Sequence, residues 1–88
     1  ARPQRILSMA VIAAGNSGDP SYVPLLVKTL HHPYAPIRAH SAWAIGKLGS
    51  EGVVEQLLYA KSREQAPEVL DEINLALKRI HAKNETSP

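Results

Sequence analysis

Apolar residues recur at helical spacing along the whole chain, and no segment alternates in the manner of a strand. The clearest run places Val23, Leu26, Val27 and Leu30 at i, i+3, i+4 and i+7, one face of a helix. Asp19 is its N-cap and Pro20 its first residue, so the spacing predicts a helix from Pro20 to about His31. Four more follow the same logic. One runs from Pro3 to Ala14 and stops at Gly15 in a left-handed C-cap, and another runs from Pro36 to Leu48 and stops at Gly49. A fourth begins after Ser50 and reaches Ser62, with Val54, Leu57 and Leu58 turned inward. The last extends from Pro67 to Ala82 and leaves residues 83–88 as a polar, frayed tail.

These segments repeat. Ala13-Ala14-Gly15 returns as Ala44-Ile45-Gly46 at an offset of 31, and Val23, Leu26 and Val27 return as Val54, Leu57 and Leu58 at the same offset. Ala44, Ile45 and Leu48 return as Ala76, Leu77 and Ile80 at 32. Helix pairs recurring at this period bury their apolar faces by stacking on one another, which predicts an all-α solenoid of about five helices, or two and a half pairs, over residues 1–82. The first helix is apolar almost all round, with Ser8 its polar break between Ile6 and Ala14. Such a helix expects neighbours on more than one side. The fifth has one apolar stripe and a polar back carrying Glu68, Asp71, Glu72, Lys78 and Arg79, the pattern of a terminal cap. The expectation is therefore a carboxy-terminal piece of a longer protein whose remaining part packs on the first helix.

Composition narrows the chemistry. An 88-residue chain has little apolar material with which to line a deep catalytic cleft. It contains no Cys, which excludes thiolate metal sites, cysteine-ligated clusters and a catalytic thiol within these residues. The longest apolar run, Met9 to Ala14, is far short of the roughly 20 residues that span a bilayer, so no membrane association and a cytoplasmic location are expected. His31 and His32 are adjacent and do not face one another, so no metal site is expected. The net charge of +2 is unevenly spread: residues 1–50 hold five basic side chains against Asp19 alone, and residues 51–88 hold five against seven acidic ones. That asymmetry points the first half toward an anionic partner.

The run Pro36-Ile37-Arg38 through Ala42-Trp43-Ala44-Ile45-Gly46-Lys47-Leu48-Gly49 resembles the second helix of a HEAT pair. His31-His32-Pro33 stands where HEAT repeats commonly have an acidic loop residue, which leaves Arg38 without the acidic partner of the usual ladder. A more specific resemblance spans about residues 2–80. Ala14-Gly15-Asn16-Ser17-Gly18-Asp19-Pro20, Val23-Pro24-Leu25-Leu26 and Ile37-Arg38-Ala39-His40-Ser41-Ala42-Trp43-Ala44-Ile45-Gly46 are similar to the carboxy-terminal HEAT-like domain of the epoxyqueuosine reductases. The resemblance implies a parent oxidoreductase of queuosine-tRNA modification, with cobalamin and 4Fe-4S clusters in an upstream catalytic domain. It also implies a helical tail that helps hold the anticodon stem-loop of tRNA. It places the catalytic residues and cofactors outside this chain, which is then non-catalytic.

A helical wheel separates three faces on the third helix. Ile37, Ala44, Ile45 and Leu48 point to the core of the pair. Ala39, Ala42 and Gly46 form a small-residue face that lets the next helix approach. Pro36, His40, Trp43 and Lys47 form a third stripe that combines a flat ring with donors for phosphate oxygens. The same stripe on the first helix holds Arg5, Met9, Ile12 and Asn16, and the two together are expected to make a continuous basic strip. The candidate RNA contacts are Arg5, Asn16, Arg38, His40, Trp43 and Lys47, with Trp43 also suited to filling the space between the two helices. The alternative is a protein-interaction scaffold that docks its partner on the apolar first helix and the solenoid groove.

Overall fold

The structure is a computed structural model describing residues 3–86, and five α-helices account for most of it. They are α1 (Pro3–Asn16), α2 (Val23–Thr29), α3 (Ala35–Leu48), α4 (Val54–Arg63) and α5 (Pro67–Thr86). Short 3-10 turns, Pro20–Tyr22 and Glu51–Val53, lead into α2 and α4. The first has a covalent cause. Pro24 has no N–H to reach the carbonyl of Pro20, so that carbonyl accepts from Val23 instead, one residue nearer, and the chain winds tighter there. Asp19 caps the turn by accepting from the amide of Ser21 at 3.0 Å, which holds its carboxyl below the ordinary value.

The helices form two layers. Helices α1, α3 and α5 lie side by side and parallel as an inner row, and α2 and α4 cover it as an outer row. The extents, 45 × 28 × 17 Å, leave room for two helix layers and no third. Leu30, Ile37, Ile45, Leu57 and Ile73 are fully buried between the rows, together with Ser41, whose hydroxyl meets that of Thr29 at 2.5 Å. The α2 stripe points inward as its spacing requires, with Leu26 and Leu30 buried and Val23 and Val27 half-buried.

Inner-row helices touch backbone to backbone. A Cβ on Gly46 would lie 2.8 Å from the Cα of Ala76, and one on Gly15 would lie 3.0 Å from the Cβ of Ala44 and 2.5 Å from Cζ3 of Trp43. Glycine at these two positions is what brings the helices together. For this reason α1 does not stop at Gly15: the glycine is inside the helix and buried, and the left-handed residue is Gly18, at φ 74°.

Two other expectations change. Leu58 is 49% exposed, because the inward stripe of the fourth segment is Val53, Leu57 and Ala60, and Leu58 lies about 100° around the helix from Leu57. The expected polar tail is helical to Thr86. Lys83 fastens it by donating to the carbonyls of Gly46 (3.0 Å), Lys47 (2.9 Å) and Gly49 (3.1 Å), the open C-terminal end of α3. Partial burial and the nearby Arg79 lower the Lys83 pKa. Asn84 adds a hydrogen bond to Glu51.

Gly46→Ala is expected to cost about 1–3 kcal/mol through overpacking against the Ala76 backbone. Gly52→Ala, with nothing within 4 Å of its Cβ, should leave stability nearly unchanged. Thermal unfolding of the two variants checks the contrast.

Candidate nucleic-acid interface

The open side of the inner row presents three parallel stripes in register. On α1 the stripe is Arg5, Met9, Ile12 and Asn16; on α3 it is Pro36, His40, Trp43 and Lys47; on α5 the corresponding positions are Glu68, Glu72, Leu75 and Arg79. Across the helices these positions fall into bands. The end nearest the C-termini holds Asn16, Lys47 and Arg79, and next to it lies an apolar band in which Ile12 is 36% and Leu75 46% exposed, with half-buried Trp43 between them. Glu68 and Glu72 share a cleft of about 360 Å³ with Ile12, His40 and Trp43. The basic strip is therefore not continuous, because α5 sets two carboxylates beside His40 and Trp43.

The structure ties three of the six candidate residues together. Lys47 Nζ donates to Oδ1 of Asn16 at 3.1 Å and lies 5.1 Å from the centroid of the Trp43 ring. The ring supports the ammonium by a cation–π contact and the amide orients it, so an exposed cation is held at a fixed place and not left on a free stem. Trp43 packs as a wedge against Gly15 with part of its surface in the cleft. His40 lies one turn before it, half-buried, with Nδ1 buried and making no hydrogen bond. A buried ring nitrogen without a partner is least costly as a bare lone pair, which leaves Nε2 as the donor. Arg5 stands apart at the other end of the row, exposed beside Tyr34 and Pro36.

Arg38 has a different role. Its Nε and Nη2 donate to the two carboxylate oxygens of Glu64 at 2.8 and 3.0 Å, and Nη1 donates to the carbonyls of His32 (2.8 Å) and Pro33 (2.9 Å). Glu64 lies in the loop between α4 and α5, so the acidic partner missing from the loop before Arg38 is supplied by the following pair. Arg38 is a strut between repeats, and its guanidinium is committed within the chain. The same carboxylate accepts from the amides of Gln65 and Ala66, and with Arg38 as the leading cause its pKa is held below the ordinary 4.5. Among the described residues no group of three or more His, Cys, Asp or Glu converges to hold a metal, and no helix is long and apolar enough to cross a membrane.

Sequence reasoning missed the α5 stripe. The signal was available, since carrying His40, Trp43 and Lys47 forward by 32 gives Glu72, Leu75 and Arg79. The polar pattern of the fifth helix instead puts Glu72 and Arg79 on a solvated back and leaves Leu75 unplaced.

The sequence profile of HEAT repeats matches residues 2–78. Over 77 residues, 86% of the chain, the sequence is 35% identical to an epoxyqueuosine reductase of Bacillus cereus, and over 78 residues it is 33% identical to that of Bacillus subtilis. An uncharacterized protein of Geobacillus stearothermophilus is 36% identical over 74 residues. The chain spans about a fifth of the two reductases (20% of each) and 34% of the Geobacillus protein. No solved structure gives a significant match.

Because the folded carboxyl of Glu64 titrates below its unfolded value, the Arg38 strut stabilises the fold above pH 4.5 and is lost as the pH falls through the lower folded value. Chemical denaturation of the wild type between pH 6 and 3 should show stability falling with acid, and Glu64→Gln should be less stable at pH 6 and show a shallower fall.

Proposed function

The chain belongs to the HEAT repeats family, and from that premise we propose that it is the non-catalytic, tRNA-engaging helical part of an epoxyqueuosine reductase-like protein. The observation that carries the reading is the Lys47 ammonium, oriented by Asn16 and supported by the Trp43 ring on the open face of the inner row. A fixed exposed cation beside an aromatic edge suits a phosphate oxygen with a neighbouring sugar or base. Arg5 and His40 Nε2 add donors on the same face, and Arg38 acts behind it by holding the repeats in register. The contacts position the anticodon stem-loop, and an upstream catalytic domain of the same polypeptide performs the chemistry. Cobalamin and 4Fe-4S clusters belong to that domain in this reading, since a chain without Cys offers a cluster no thiolate. A cytoplasmic location goes with the same reading.

A second reading, a scaffold that docks another protein, is favoured by the apolar groove between α1 and α2, where Leu7, Ala10, Ala14, Tyr22 and Leu25 enclose about 370 Å³ with almost no polar surface.

Fluorescence anisotropy with an anticodon stem-loop RNA separates the two. Arg5→Glu combined with Lys47→Glu should weaken RNA binding at least about tenfold, two lost phosphate contacts with added repulsion. About three phosphate contacts give a log–log salt slope of about −2 to −3. Unchanged affinity in the double variant, or affinity that salt does not alter, would contradict the tRNA reading.

A further inference from the structure

The two ends of the inner row are chemically different. Each internal contact joins a glycine of one helix to an alanine of the next: Gly15 to Ala44, then Gly46 to Ala76. At the α5 end the position that follows Gly15 and Gly46 is Lys78, whose long exposed side chain closes the row. At the α1 end the position preceding Ala44 and Ala76 is Ala13, which is exposed. Around it, positions one repeat apart differ sharply in exposure. Ile37 is 0% exposed between the rows, while Ile6, its counterpart 31 residues earlier, is 57% exposed. Ser41 is buried under α2, while its counterpart Ala10 is exposed at the rim of the apolar groove between α1 and α2. Met9, 64% exposed, extends the same apolar surface.

We propose that the α1 face is the docking site for one further helix pair of this same repeat. Its inner-row helix places a glycine over Ala13, and the pair together covers Ile6. Its outer-row helix fills the groove between α1 and α2, as α2 lies against α3 one repeat later. The occupant follows from continuity with the existing interfaces, α1 on α3 and α2 on α3, displaced by one repeat. A second copy stacked head to tail is disfavoured because it would bring Lys78 onto Ala13. The proposal is independent of RNA binding and specifies what covers α1, whichever function the open face serves.

The test extends the intact chain. A copy of residues 35–65, which carries α3 and α4, is joined directly ahead of Pro3, an arrangement that sets the copied Gly46 over Ala13 as the original lies over Ala76. The extended protein should melt at least about 5 °C higher, a shift that corresponds to roughly 1 kcal/mol in a domain of this size. It should also bind less 1-anilinonaphthalene-8-sulfonate. Ala13→Leu should remove the gain from the extended protein and leave the 88-residue chain's melting temperature unchanged. An extended protein that melts with the parent, or an Ala13→Leu effect equal in both, overturns the proposal. So does a parent chain that sediments as a dimer and becomes monomeric on Ala13→Lys, which would make a second copy the occupant.

Discussion

Two places where backbone meets backbone set the geometry of this molecule. Gly15 against Ala44 and Gly46 against Ala76 let three helices lie side by side at a spacing that larger side chains would forbid. Because the two contacts recur one repeat apart, Gly15 and Gly46 on one side and Ala44 and Ala76 on the other, the helices lie in register. Every further feature inherits that register: α2 and α4 fall into the grooves behind the row, and the stripes on the open side align into bands. Lys83 and the Arg38–Glu64 pair reinforce the same register, the first by satisfying the carbonyls at the end of α3, the second by joining one pair to the loop of the next.

The open face is polarised as a result. Lys47 and Arg79 lie toward one end, Glu68 and Glu72 toward the other, and Ile12, Trp43 and Leu75 between them. A polyanion on such a face would be favoured along the α1 and α3 stripes, from Lys47 toward Arg5, and repelled where α5 sets Glu68 and Glu72. The combination of Asn16, Trp43 and Lys47 depends on the glycine contact as well: Trp43 reaches α1 only because residue 15 has no side chain. Packing and the proposed recognition meet at Trp43, whose wedge role is compatible with its ring supporting a cation.

Much of the fold was legible in the amino-acid sequence, because helical spacing, Pro at helix starts and the 31-residue offset all report local or nearest-neighbour physics. The five helices, the two and a half pairs and the close approach at Gly46 follow from them. The misreadings are of another kind. Gly15 looks like a helix terminator when only its own segment is considered, and it becomes an interior residue once Ala44 and Trp43 press on it. Lys83 looks like part of a polar tail until the carbonyls of another helix, more than 30 residues away in sequence, are in reach. Arg38 appears unpartnered when the loop before it is searched, and its acid comes from the loop of the following repeat. The α5 contribution to the open face was hidden because a polar face and a solvated back have the same composition, and only the register of the row separates them.

The tRNA proposal requires that the Asn16, Trp43 and Lys47 face meets RNA. Titration of an isotope-labelled chain with the anticodon stem-loop, followed by two-dimensional NMR, tests it most directly. The claim predicts shifts in the Trp43 indole N–H, the Asn16 side-chain amide and the backbone amides around Lys47, with α4 unaffected. Shifts centred on Leu7, Tyr22 and Leu25, or none at saturating RNA, would contradict it.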